Sequence, residues 1–200
     1  MKKYIFLSLM LLISTLLNAQ VSMEEIGDFR LIHGKEPGKT IYQISYIGLK
    51  GQKGGSDGDF GGSVSPSYSY VSEKTKKGNI KYWRLGFTGR CSRQTGFTMK
   101  KGGKIFIKLF DDSVITLITD HVEISRDYEY GTWFSPTTKL STANFNKITQ
   151  IGVKKVRFET FPKVFDVVYD EDLIGVFLKN AAPILKEKIN SKTDRMSKGF

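Results

Sequence analysis

The densest group of chemistry-bearing side chains is Asp120, His121, Glu123 and Asp127. On a strand, His121 and Glu123 would project to one side, because side chains alternate between the two faces. An imidazole and a carboxylate so placed could begin a divalent metal site. The same residues also suit an exposed strand edge, where charge discourages pairing with another chain, and that reading is preferred. Asp57-Gly58-Asp59 has the start of a calcium loop but lacks the later oxygen ligands and the closing glutamate, so it reads as a turn. Gly51-Gln52-Lys53-Gly54-Gly55 shares only its glycines with a phosphate loop; the Lys-Ser or Lys-Thr that would open a helix is missing. No glycine-flanked serine elbow occurs, and neither His33 nor His121 lies in a motif of a general base. The 20 acidic residues could supply a pair for sugar hydrolysis, but their spacing singles out none. No catalytic residue, metal set or cofactor motif is therefore assigned.

Binding residues are easier to nominate. The net charge is +11, and Lys74, Lys76, Lys77, Lys81, Arg84, Arg90, Arg93, Lys100, Lys101 and Lys104 form a stretch with almost no acid. Such a stretch either solubilises one face or attracts an anionic polymer or membrane surface. Tyr68, Tyr70, Tyr82 and Trp83 are interleaved with it, and aromatic and arginine side chains are favoured at protein interfaces. Trp83 and Phe87 read better as core. The candidate partner-binding set is Tyr68, Tyr70, Lys76, Lys77, Lys81, Arg90 and Arg93. No element that reads nucleic acid is recognisable, so nucleic acid is not expected as a partner. Cys91, the single cysteine, cannot close an internal disulfide and reads as a buried, inert thiol beside a strand end.

These residues must be positioned by strands. Ile41 to Leu49 alternates Tyr42, Ile44 and Tyr46 against polar neighbours. Gly51 to Ser67 is rich in glycine and reads as a long loop. Ile80 to Thr88 sets Tyr82 and Arg84 against Trp83, Leu85 and Phe87, and a further short strand is expected at Gly96 to Met99. Lys104 to Phe110 and Val114 to Thr119 flank Asp111-Asp112-Ser113, whose short polar side chains favour a tight turn, making the clearest hairpin. His121 to Arg126 adds another strand.

The last third changes period. Ser141 or Thr142 caps a short helix with Phe145, Ile148 and Ile151 on one side, and Gly152 ends it. Val153 to Thr160 returns to strand, and Val164 to Tyr169 is a loop or short strand. Asp170 is expected to cap a longer helix with Glu171 and Asp172 in its first turn. Ile174, Phe177, Leu178, Ala181, Leu185 and Ile189 give that helix one apolar face, and Pro183 should kink or split it. The expectation is an α+β fold: an antiparallel sheet of five to seven strands with C-terminal helices on one face. The divisions are an irregular lead-in at 20–38, a single domain at 39–189 and a flexible tail at 190–200.

Residues 1–19 read as a signal peptide. Lys2 and Lys3 precede an apolar run from Tyr4 to Leu17, and Asn18-Ala19-Gln20 supplies a small residue for cleavage. The run is short for a bilayer span, so no stable membrane span is expected after cleavage.

Ser141 to Thr160, STANFNKITQIGVKKVRFET, followed by an acidic-capped amphipathic helix, resembles the closing segment of small exported domains of unknown function from Bacteroidetes-type bacteria; the leader ending LLNAQ is similar to theirs. The resemblance implies an extracytoplasmic bacterial protein of mixed sheet and helix, and brings no catalytic residue. Two function classes follow: a noncatalytic periplasmic or secreted protein that binds an envelope protein or anionic polymer, or a hydrolase of an envelope polymer. The hydrolase needs His121, Glu123 and Asp127 beside a cleft.

Overall fold

The computed structural model describes residues 28–36, 38–47, 52–54, 64–91, 98–127, 131–161, 164–169 and 171–197. The strands are β1 (Asp28–Glu36), β2 (Lys39–Ile47), β3 (Gln52–Gly54), β4 (Ser65–Thr75), β5 (Gly78–Cys91), β6 (Lys104–Leu109), β7 (Val114–Ile118), β8 (His121–Asp127), β9 (Gly131–Lys139), β10 (Val153–Phe158) and β11 (Phe165–Tyr169). Helices α1 (Thr142–Ile151) and α2 (Leu173–Ser197) lie late in the chain. The α+β class with antiparallel strands and C-terminal helices is therefore the observed one. The strands divide into a six-stranded sheet, β1-β2-β4-β5-β9-β8, and a five-stranded sheet, β3-β11-β10-β6-β7.

One buried core joins both sheets and α2. Phe87 and Phe134 of the six-stranded sheet meet Phe158 of the five-stranded sheet edge-on, at centroid distances of 5.3 and 5.6 Å. Edge-on rings set the positive rim of one against the negative face of the other. Elsewhere α2 covers β2 and β4, and Phe177 meets Tyr46 edge-on at 4.9 Å. Ile174, Phe177, Leu178, Ala181 and Leu185 are fully buried, so the apolar face read from their spacing is the face that packs.

Several expectations change. Residues 28–36 of the lead-in form β1, paired with β2 along its whole length. Leu31 and Ile32, adjacent and on opposite faces, are both about 40% exposed, so this edge strand shows no inside/outside alternation to read. Within the expected loop 51–67, Gln52–Gly54 pair with β11 as β3, and Ser65 already belongs to β4; residues 55–63 lie outside the described ones. Helix α2 continues through Pro183, which is exposed, as is Lys179, so the chain is not split there into two helices. It also runs to Ser197 across most of the expected tail, because a helix nucleated by a packed segment extends at little cost per residue.

The cap of α2 is Asp172, two residues beyond the expected Asp170. Its Oδ1 accepts from the N–H of Gly175 at 2.8 Å and from the N–H of Val153, at the start of β10, at 2.9 Å. A Cβ at Gly175 or Gly152 would overlap this carboxyl, and Gly152 also holds φ at 85°, the left-handed region that ends α1. Ser141 caps α1 as expected, accepting from the N–H of Asn144 at 3.2 Å.

Candidate functional site

The outer face of the five-stranded sheet combines charged and apolar side chains. On β6, Ile105, Ile107 and Leu109 point into the core, which sends Lys104, Phe106 and Lys108 outward. On β7 the same alternation buries Ile115 and Leu117 and exposes Val114, Thr116 and Ile118. β10 departs from strict alternation. Val153 and Val156 both face inward, and the register with β6 shifts between Val153 and Lys155. This bulge inserts Lys154 as an extra residue, so two consecutive lysines emerge near Arg157.

Acidic residues hold these cations in place. Arg157 donates twice to Asp166 of β11, from Nε at 2.7 Å and from a terminal guanidinium nitrogen at 2.8 Å, and Lys155 pairs with the same carboxyl. The Arg157 bonds hold the Asp166 carboxyl below its ordinary pKa; partial burial opposes them and Lys155 assists. In the hairpin turn, Asp112 takes Lys108 at 2.8 Å and Lys154 at 3.3 Å, and its pKa is lowered by them. Asp112 has φ 63°, and Asp111 Oδ1 accepts from the Ser113 N–H and hydroxyl, so the turn is built by the side-chain chemistry read from sequence. Four cations thus share two carboxylates.

Between them lies an open recess of about 300 Å³, lined by Phe106, Lys108, Val114, Lys155 and Arg157. It has the makeup of a binding site, an apolar floor with a few polar groups at fixed positions. A second depression of about 540 Å³, lined by Thr98, Lys100, Gly103, Glu159, Thr160 and Phe161, balances one lysine with one carboxylate.

The residues nominated from sequence are scattered by the fold. Tyr68 is buried: it stacks on Trp83 at 4.9 Å and on Phe145 of α1 at 5.6 Å. Tyr70 is half-buried and meets the same indole edge-on at 5.1 Å. Both tyrosines therefore pack against the indole of Trp83. Lys76 and Lys77 are exposed in the turn of the long β4–β5 hairpin, and Lys81 is exposed close by. Arg90 belongs to β5, but its side chain, like that of Cys91, is outside the described structure, as is Arg93 altogether. Lys108, Lys154, Lys155 and Arg157 were missed because their nearness is created by pairing between distant strands. The readable signal was the alternation of Phe106 and Lys108 with buried isoleucines.

His121 and Glu123 are exposed on β8, an edge strand. Asp120 is engaged by Arg84 Nε at 3.1 Å and by the Thr137 hydroxyl at 3.0 Å. The Asp127 side chain lies outside the described structure. Neither described recess is lined by these residues, and no cluster of three or more metal-ligating side chains occurs among the described residues. No helix of the described residues is long and apolar enough to cross a membrane. Asp57 and Asp59 are outside the described residues, while the segment that shares only its glycines with a phosphate loop contributes Gln52–Gly54 to β3. No family model, curated protein or solved structure matches the chain.

Proposed function

We propose that this is an exported, noncatalytic bacterial protein of the periplasm or cell exterior, and that it binds an envelope protein or anionic polymer through the outer face of its five-stranded sheet. The observation that carries the reading is the set of cations, Lys108, Lys155 and Arg157, fixed by carboxylates around the apolar recess of Phe106 and Val114. Fixed cations supply direction and on-rate to an anionic partner, and the apolar floor supplies the area that charge alone lacks. The leader-like residues 1–19 and the resemblance of the chain's last third to exported Bacteroidetes-type domains support export. In protein recovered from the envelope or medium, the first residue should be Gln20 or Val21; an intact Met1 in that material would count against cleavage. The hydrolase alternative gains no support from His121 and Glu123, which stand on an exposed edge.

Binding of labelled sodium polyglutamate, followed by fluorescence anisotropy at low salt, tests the face. Lys108→Gln with Arg157→Gln leaves Lys155 beside Asp166 and should weaken binding by about 3- to 10-fold. The combined Lys76→Gln, Lys77→Gln and Lys81→Gln variant alters the other exposed basic patch and should have a smaller effect. The reverse order would move the site to the hairpin tip; loss from neither would remove the anionic partner.

A further inference from the structure

Among the described residues the two sheets have four edge strands, and three of them carry charge or are short. β1 carries Asp28, Arg30, Lys35 and Glu36; β8 carries His121, Glu123, Arg126 and Asp127; β3 is only three residues long. Charge and shortness are the usual devices that stop an edge from recruiting a partner. The fourth edge is β7, Val114-Ile115-Thr116-Leu117-Ile118, with no charge, proline, glycine or bulge.

The direction of its backbone groups follows from its hairpin. Leu109 N–H donates to Ser113 C=O at one end, and Thr119 N–H donates to Gly103 C=O at the other, both at 2.9 Å. Antiparallel partners alternate between bonded and non-bonded pairs. Ile115 and Leu117 therefore bond β6, whereas Val114, Thr116 and Ile118 turn their N–H and C=O groups to the open side. At the far end the Ile118 C=O already accepts from the Thr138 hydroxyl at 2.8 Å, which marks where an added strand must stop. Among the described residues β7 pairs with β6 alone.

We infer that β7 receives an extended segment of a partner protein as a sixth strand, and that this segment alternates acidic with apolar side chains. The inference deepens the binding reading above and rests on it. One set of added side chains would lie over the outer face, beside Val114 and with only β7 between them and Lys108, the nearest of the cations. The other set would continue the apolar row of Ile115 and Leu117. Main-chain bonds give such a complex its affinity and alternate side chains its specificity. A second copy of this chain is the poorer occupant, because it would set one cationic face beside another in a protein of net charge +11.

The probe is a fluorescein-labelled peptide of four Val-Glu repeats, with a control N-methylated at each valine and a second control whose N-methyl groups are on each glutamate. Thr116→Pro removes an outward N–H without removing a bond to β6, and proline is tolerated at an edge. The parent should bind the unmodified peptide, and at least one methylated peptide should bind at least about tenfold more weakly, as expected for lost main-chain bonds. Thr116→Pro should weaken the unmodified peptide similarly while keeping the parent's circular dichroism. If Thr116→Pro fails to fold, the methylated pair decides on the parent alone. Equal binding of all three peptides would overturn strand addition; if Lys108→Gln with Arg157→Gln still weakened them all, the cationic face would stand without it. If the parent did not bind the peptide but did bind polyphosphate, a polymer partner would replace the protein segment. A dimer in size-exclusion chromatography that Thr116→Pro dissolves would assign the edge to a second copy.

Discussion

Phe177→Ala should lower the unfolding free energy by about 3 to 5 kcal/mol, the range for deleting a fully buried aromatic ring and leaving its space empty. Phe177 has no exposed surface, belongs to the buried row from Ile174 to Leu185, and meets Tyr46 of β2 edge-on at 4.9 Å. Without the ring, the first turns of α2 lose this contact with the six-stranded sheet. Lys179→Ala on the exposed side of the same helix should change stability by less than about 0.5 kcal/mol. Urea titration of both variants checks the pair. A Phe177→Ala protein as stable as its parent would mean that this face does not hold the fold together and is free to serve a partner.

Asp172→Ala should cost about 2 to 4 kcal/mol, because one carboxylate oxygen accepts from both Gly175 and Val153 and both donors would be left in a largely buried place. Asp172→Asn keeps an oxygen there and should cost much less. Acidification separates charge from hydrogen bonding. Burial raises the Asp172 pKa above its ordinary value and outweighs the two backbone bonds and the Lys179 charge, which lower it. A carboxyl raised in this way binds its proton more tightly in the folded chain than in the unfolded one. Its contribution is fully present below the unfolded pKa and is lost as pH rises through the folded pKa. Asp172→Asn lacks this term, so it should gain on the parent as pH rises from the ordinary carboxylate range through the raised pKa of the folded chain. A loss over that interval would show that the bonds dominate and the pKa is lowered.

The hairpin of β6 and β7 was legible because local chemistry decides it. Isoleucines at every second position define an inner face, and Asp111-Asp112-Ser113 can satisfy its own turn. Helix α1 was legible for the same reason, with a serine cap, an apolar stripe and a terminating glycine. β4 was hidden by its serines: Ser65, Ser67 and Ser69 alternate with Pro66, Tyr68 and Tyr70, a pattern that reads as polar with scattered aromatics. β9, Gly-Thr-Trp-Phe-Ser-Pro-Thr-Thr-Lys, was hidden by its glycine and proline, and Pro136 is buried there in a strand one place from the edge. The cap of α2 was misplaced because Asp170 and Asp172 have equal local credentials. Asp172 is selected by the Val153 N–H, a donor 19 residues away in sequence.

By itself, then, the sequence determined the α+β class, the apolar face of α2, the hairpin with its turn and the ends of α1, since each depends on residues within a few positions of one another. Only the tertiary structure decided that the strands form two sheets, that Tyr68 belongs to the core with Tyr70 packed against it, and that Lys108, Lys155 and Arg157 surround one recess. Those outcomes depend on which strand lies beside which, and alternation within a strand records which face a side chain takes without recording its neighbour across the sheet.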